Sequence, residues 1–520
     1  TKTPRSAGAF AWPASSTMPM TTPESTAPTP EQAAQAEQRL HPMSWLFVLL
    51  QQLKQFIVPL VALLFFGRGD RNELWPLIGV GVLVVTSLWQ YVTYRYGVAG
   101  DGLVIRSGLL ERSLRVIPFS RIHNVALQQS MLHRLFGVAE VRLESAGGSK
   151  PEAEMRVLKL DDALALEALV RRRGAAATAG APVAENDATT LLALPLGEVL
   201  RLGLISNRGM IVVGAGVAAV SQFSPRLIPN AAEFVGRQVF GFAGAHHFGA
   251  LEYGLAAVAL LALVLALLRL FSMVLALLQY YGFRLSEHGR RLTVERGLLG
   301  RWRTSASRRR IQAWTLREGL MHRLLRRRSL DVDTAVAESQ GQPRALREIA
   351  PVATAAECER LVGHLLPKSQ WSQLDWKPLP AASGWRLFLP SVPFVLVATI
   401  ALTWRFDAWG LLALAWLPWA ALSAYKRARA ARYALGGELV AVHEGWWSRH
   451  WRFAEIDKLQ ALQLTRSPID RRCGTATLWL DTAGAGAMSP PLRVRFLPDA
   501  DAQALYETLS KTLARRPLRW

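Results

Sequence analysis

The sequence predicts membrane-embedded helical hairpins carrying three copies of an α+β soluble module, and three observations lead there. Apolar runs long enough to cross a bilayer come in pairs. A polar, strand-patterned region follows each pair, at residues 95–173, 283–367 and 430–515. Those regions superimpose on one another when the chain is slid by 189 and by 337 residues.

Composition agrees with the first observation. The 520 residues carry 61 Lys+Arg against 39 Asp+Glu, a net charge of +22, yet 51% are hydrophobic and only 19% charged. Mean hydropathy is +0.16. A chain that is basic and apolar together fits a membrane protein with its positive side in the cytoplasm better than a polar nucleic-acid binder. Cys358 and Cys473 are too few for a disulfide framework and do not stand at zinc-ligand spacing. Residues 1–40, rich in Pro, Thr, Ser and Ala, lack an apolar run and are expected to be a disordered tail.

The apolar runs are 45–66 with 74–94, 202–223 with 251–281, and 385–404 with 409–425, which sets hairpins at 44–95, 198–282 and 385–426. Linkers are expected at 174–197 and 368–384. Lys54 interrupts the first run, and Arg201, Asn207 and Arg208 crowd the start of the third, as in interfacial helix entering a membrane. The hairpin ends that meet the soluble regions carry Arg95, Arg284 and the cluster Lys426, Arg427, Arg429 and Arg432. By the positive-inside rule the modules and the N-terminus lie on the cytoplasmic side.

Across the three copies Leu103, Leu292 and Val440 coincide, then Gly108, Gly297 and Gly445, then Arg134, Arg323 and Arg471, and finally Leu160, Ile349 and Leu497. Within a copy, 102–107 alternates apolar and polar residues, Gly108-Leu109-Leu110 turns, and 113–118 returns as the second strand of a hairpin. Residues 122–128 and 138–145 alternate again, with one helical turn at 130–135 between them. A last strand at 155–160 leads into an amphipathic helix that opens on Asp161-Asp162 and closes on Arg171, Arg172 and Arg173, the polarity a helix dipole prefers. Six or seven strands in one curved sheet, with that helix against it, make a small partly open barrel.

Paired membrane spans, the tyrosine-led strands at Tyr94-Arg95-Tyr96 and Arg432-Tyr433, the Gly-Leu-Leu hairpin and the closing strand and helix resemble the bacterial pleckstrin-homology (PH)-like family. More closely, the chain is similar to multi-pass membrane proteins with three tandem domains of that kind. The resemblance implies six transmembrane helices and three PH-like partly open β-barrels, each capped by a C-terminal helix. It also implies a place in the bacterial inner membrane, and it carries over no catalytic residue.

Function is expected from the basic surface. Residues 301–328 hold ten arginines with only Glu318 opposing them. Such a patch suits anionic headgroups or an acidic protein partner. Its candidate binding residues are Arg301, Arg303, Arg308, Arg309, Arg310, Arg326, Arg327 and Arg328. The resemblance to PH domains adds the counterparts around the first hairpin loop, Arg112 and Arg115 in copy one and Arg449 and Arg452 in copy three. No RNP-like aromatic motif or recognition helix accompanies the charge, so no nucleic-acid partner is expected. Gly214-Ala-Gly216 lies inside an apolar run, where close helix packing explains it better than a dinucleotide site. No enzyme motif, cofactor or metal site is expected. His246-His247 sits in a link between spans, and His133 and His322 occupy matching repeat positions. The resulting expectation is a non-enzymatic membrane scaffold, with a role in envelope maintenance or stress response. A transporter or channel built on a six-helix bundle is the alternative, disfavoured by spans with almost no ionisable residues.

Overall fold

The computed structural model describes residues 38–53, 75–100, 102–108, 113–119, 122–145, 153–176, 189–245, 249–334, 346–380, 383–436, 438–483 and 489–515. Most of the expected tail, the link 67–73, Lys54, Arg112 and His246-His247 lie outside them.

In the first repeat, β1 (Gln38–Arg39) is followed by helix α1 (Ser44–Leu53) and helix α2 (Trp75–Thr93). Strands β2 (Arg95–Ala99), β3 (Gly102–Ser107), β4 (Ser113–Pro118) and β5 (Ile122–Gln129) come next, then the short helix α3 (Met131–Leu135). Strands β6 (Val138–Ser145) and β7 (Ala153–Lys159) and helix α4 (Leu160–Ala176) complete the repeat. The period-2 patterning does what it predicts: Leu103 and Ile105 of β3 turn into a core with Val125, Leu127, Val141 and Leu143. Helix α4 lays Ala163, Leu166 and Val170 on the same core, a helical spacing with its acidic pair in the first turn. The glycine shared by the three copies turns each β-hairpin corner with φ of 106°, 115° and 96° at Gly108, Gly297 and Gly445. A Cβ at Gly297 would stand 1.9 Å from the Gly300 carbonyl oxygen, so no other residue fits there.

The second repeat runs through β8 (Thr189–Ala193), helices α5 (Leu196–Ile205), α6 (Arg208–Phe223), α7 (Leu227–Ala245) and α8 (Ala250–Tyr280), and strands β9 (Arg284–His288), β10 (Arg291–Arg296), β11 (Arg301–Ser307) and β12 (Ile311–Glu318). It closes with α9 (Leu320–Leu324), β13 (Arg328–Thr334), β14 (Glu348–Ala353) and α10 (Ala355–Leu365). The third runs through β15 (Lys377–Pro378), α11 (Gly384–Phe388), α12 (Ser391–Phe406), α13 (Trp416–Ala430), β16 (Arg432–Gly436), β17 (Leu439–Glu444), β18 (Arg449–Glu455) and β19 (Leu459–Thr465). Helix α14 (Pro468–Cys473), β20 (Thr475–Thr482), β21 (Arg493–Pro498) and α15 (Asp499–Ala514) end it.

One sheet per repeat was the expectation, and the hydrogen bonding corrects it. The strand orders are β1-β2-β3-β4, then β7-β6-β5-β11-β10-β9-β8, then β14-β13-β12-β18-β17-β16-β15, then β19-β20-β21. The last three strands of each repeat therefore join the first strands of the next. At the first seam Thr304, Arg303, Trp302 and Arg301 stand opposite Ala126, Leu127, Gln128 and Gln129. At the second, Phe453, Arg452 and Trp451 stand opposite Trp314, Thr315 and Leu316. Trp314 stacks on Phe453, with ring centres 6.3 Å apart. The physical reason is the open edge: β5 and β12 have unsatisfied backbone groups that only another strand can pair in full.

The apolar segments separate into membrane and module parts. Two helical stretches, Leu251–Tyr280 and Gly384–Ala430, are long and apolar enough to cross a membrane, and the bent pair α5–α6 makes a third if counted as one span. The second stretch folds back near Asp407, because Gly384 at one end lies against Tyr425 and Ala428 near the other. Helix α5, expected in part as membrane span, instead buries Val199, Leu202 and Ile205 in the module core with Leu285 and Ile349. A 51° bend separates it from α6. Arg269 of α8 donates to the carbonyls of Leu204 (2.9 Å) and Ser206 (3.3 Å), and Ser272 adds a bond to Ser206 (2.8 Å), which satisfies the helix end at the bend.

Gly203 is where α5 and α8 come closest: a Cβ there would stand 2.4 Å from Met273 Cα. Replacing Gly203 by Ala is expected to force the helices apart at a cost of about 1–3 kcal/mol. Gly214→Ala, with nothing within 4 Å, is expected to hold or raise stability by helix propensity. Thermal melting of the full chain in detergent reads both, and equal melting temperatures for the two variants would contradict this packing.

Candidate functional site

The fold redistributes the basic patch. Arg303 pairs with Glu295 (3.2 Å) and with Glu167 of the previous repeat's α4 (3.3 Å). Arg308 binds Glu287 at 3.0 Å and the Leu365 carbonyl at 2.5 Å. Arg327 clasps both oxygens of Glu198 at 2.7 and 2.8 Å. Arg328 pairs with Glu318 (2.9 Å) and Glu359 (3.2 Å) and lies over the Trp451 ring. Arg449 stands 3.8 Å from Glu318. Arg452 is buried in the second seam, bonded to Asp333 at 2.6 Å and Thr315 at 2.8 Å. Glu318 is thus one of several acids opposing the patch, the others brought in by the fold. Arg115, Arg301, Arg309 and Arg326 stay exposed. Arg310 is half-buried, and burial with Arg291 nearby holds its guanidinium down at about 10.

A different basic group emerges where the first hairpin meets its module. Strand register puts Arg39 opposite Arg95, and Arg95 opposite Arg106, across β1, β2 and β3. Like charges directly opposite on a sheet repel, their Cβ atoms only about 4.5–5.5 Å apart. Among the described residues no carboxylate pairs with any of the three. Arg39 lies just before α1 and Arg95 just after α2, so the row sits at the base of the hairpin. The equivalent row in the second repeat is Ala193, Arg284, Glu295 and Arg303, alternating in charge. In the third it is Pro378, Arg432, His443 and Trp451. There His443 stacks on Trp451 at 4.7 Å, and burial pushes its imidazole down to about 4. Sequence reasoning missed the row because its members share a line only through strand register.

Each hairpin also docks on its module at one repeated place. The third residue of α5, Glu198, grips Arg327, next to α9. The third residue of α11, Arg386, bonds Asp470 of α14 and Thr475 (2.8 Å). In the first repeat Phe47 of α1 packs on His133 of α3, ring centres 4.2 Å apart. His133 is held by Ser130 Oγ at 2.5 Å. At the base of the second hairpin Glu348 accepts from Arg208 (2.8 Å), Tyr280 and Arg296. Burial would raise the Glu348 carboxyl, but the two arginines outweigh it and hold it below the usual range.

Burial raises Asp470 as well, but hydrogen bonds from Ser467, Arg386 and Thr475 prevail and hold its carboxyl at about 2. Its folded value lies below the unfolded one, so its stabilisation is present above pH ~4 and is lost as pH falls through about 2. Removing one partner leaves a buried charge: Arg386→Ala is expected to cost about 3–5 kcal/mol. Asp470→Asn should flatten the acid limb of a melting-temperature profile between pH 2 and 4. An acid limb unchanged by Asp470→Asn would refute the assignment.

Comparison with known proteins gives one family. The family model for the bacterial PH domain matches residues 47–174, 237–366 and 387–513. Each match takes in apolar helix as well as module, which is how the chain is cut covalently but not how its sheets are cut. The chain is 20% identical over 492 residues to the UPF0699 transmembrane protein YdbT of Bacillus subtilis (strain 168), covering 89% of this chain and 96% of that protein. No solved structure matches.

Proposed function

The chain belongs to the bacterial PH domain family, and from that premise we propose a non-enzymatic scaffold of the bacterial inner membrane, held by six membrane helices in three hairpins. Likeness to a protein named as transmembrane and the chain's own apolar helices support the membrane location. In this reading the three modules are PH-like barrels capped by their last helices, on the cytoplasmic side, and the first module rests on anionic lipid headgroups.

The observation that carries the reading is the row Arg39–Arg95–Arg106. Three guanidiniums on adjacent strands span about 10 Å, and their mutual repulsion is relieved by anions placed between them. Arg39 and Arg95 adjoin the ends of α1 and α2 and Arg106 pairs with Arg95, which in this reading keeps the row at the height where headgroup phosphates lie. The patch at 301–328 supports lipid contact only through its exposed members, Arg301, Arg309 and Arg326. The charged residue Arg269 within α8 is engaged on the bend carbonyls, a structural duty that supports anchoring over transport.

Each basic side chain near an anionic surface contributes about 1 kcal/mol, so changing all three to Gln is expected to weaken binding of phosphatidylglycerol about a hundredfold. The full chain in detergent, titrated with phosphatidylglycerol or phosphatidylcholine and followed by melting temperature, measures it. Wild type should be stabilised by the anionic lipid alone and less so at high salt. Arg284→Gln, opposite Glu295, should behave as wild type. Equal stabilisation of the triple variant would sink the proposal. Orientation is read by labelling Cys473, which is exposed; Cys358 is buried, its thiol pushed up by burial to about 12. Labelling of Cys473 by an impermeant reagent in intact cells would reverse the assigned sidedness.

A further inference from the structure

The two seams use the same edges in the same register, and among the described residues one of each edge is left unused. Strand β11 offers Arg303 to Leu127 of β5, and β18 offers Trp451 to Leu316 of β12. Under the repeat offsets these two pairs are the same pair. The equivalent of β11 and β18 in the first repeat is β4, which ends its sheet. The equivalent of β5 and β12 in the third repeat is β19, which also ends its sheet. Among the described residues neither outer edge has a partner. We propose that β19 of one copy pairs with β4 of a second copy, so that molecules join head to tail through a third seam of the kind already made twice within the chain.

The side chains at those edges fit the pairing. Transferring the register of the second seam sets Leu464 opposite Leu114, Leu462 opposite Val116, and Thr465 opposite Ser113. The first two pairs are apolar and share a face, as Leu316–Trp451 and Trp314–Phe453 do at the second seam. On the first repeat, Leu114 and Val116 pack with buried Val104 on the side of the sheet away from the module's own core. Their third-repeat counterparts Trp451, Phe453 and Ala441 belong to the core built by the second repeat. That outer face is apolar, with Val104 buried and Leu114 and Val116 half-buried, and it lies beside a strand edge that has no partner among the described residues. At the other end, β12 is buried along most of its length, whereas β19 is exposed at Gln460, Ala461 and Gln463, with Leu462 and Leu464 only half-buried. Strand β4 thus keeps apolar side chains beside its open edge, and β19 is more exposed than its counterpart β12. An open strand edge is a template for another strand, and a contact between unlike edges is heterologous, giving a ring if its rotation closes and an open array if it does not.

The test uses the full chain in lipid nanodiscs with Cys473→Ser, in two separately tagged preparations, one carrying Leu114→Cys and the other Leu464→Cys. Mixed and mildly oxidised, they are expected to form a disulfide between unlike tags. Gln463→Cys, pointing to the opposite face, should not cross-link to Leu114→Cys. Mass photometry should show assemblies larger than one copy, and Leu464→Lys should reduce them at least tenfold while shifting melting temperature by no more than a few degrees, because β19 is at the end of the fold. A single-copy wild type with no cross-link overturns the proposal. Cross-links joining like tags, through a 114–114 or 464–464 contact, overturn the head-to-tail pairing in favour of a two-fold one.

Discussion

Everything distinctive in this molecule depends on strands that cannot be finished within their own repeat. Strand β5 ends one three-stranded set and β12 ends another, and each finds its partner in β11 or β18, far along the chain. The pairing sets more than connectivity. It buries Arg452 against Asp333, on β13 of the preceding repeat, and it threads the apolar core of the second repeat into Ala434, Leu439, Ala441 and Phe453 of the third. Three modules joined in this way are not beads on a string. The first and second repeats each place their last three strands in one sheet with the first four of the next, so the stability of one is tied to the presence of the next, as in stacked repeat proteins. The covalent unit, hairpin plus module, and the hydrogen-bonded unit are out of phase by half a repeat.

The same phase shift explains how membrane and soluble parts are coupled. Helix α5 contributes Val199, Leu202 and Ile205 to the core of the second module before the chain bends into the apolar stretch. Tyr280 and Phe283, at the other end of that hairpin, enter the same core. A module gripped by both ends of its hairpin has little freedom to rotate on the membrane. If the first module is held in the same way, the proposed contact of Arg39, Arg95 and Arg106 with headgroups would be spared the orientation entropy that a freely tumbling domain loses on every contact.

What could be read from the sequence was local. Strands at 102–107, 113–118 and 138–145 and the acid-led last helix came from period-2 and period-3.6 patterns, and the structure has them with those limits or within a few residues. The repeat offset predicted three equivalent modules, and the family match agrees. Asn207 and Arg208, whose crowding reads in sequence as interfacial helix entering a membrane, stand at the bend between α5 and α6, and that α5 belongs to a soluble core needed Leu285 and Ile349 in three dimensions. The basic patch is opposed by more acids than its own stretch of sequence contains. Counting charges within residues 301–328 found Glu318 alone, whereas Glu167, Glu198, Glu287 and Glu359 reach those arginines from other elements. Charge along a chain predicts exposure poorly once long-range pairing is available. The Arg39–Arg95–Arg106 row was hidden for the converse reason, since strand register assembled it from residues that look isolated in sequence.

Three similar hairpins beside three similar modules create a sorting problem, since a hairpin docked on the wrong module would bury almost the same apolar surface. The docking residues answer it with polarity. The second hairpin presents an acid, Glu198, to Arg327, while the third presents a base, Arg386, to Asp470 and Thr475. Thr475 is the repeat counterpart of Arg327, and His322 that of Asp470. Exchanging the hairpins would press Arg386 against Arg327 and His322, and Glu198 against Asp470. The first hairpin avoids charge altogether and offers Phe47 to the His133 ring. Like charges forced together in a partly buried contact cost several kcal/mol, comparable to the whole stability of many domains. A repeated fold thus keeps its copies distinct at the few contacts where confusing them would be easiest.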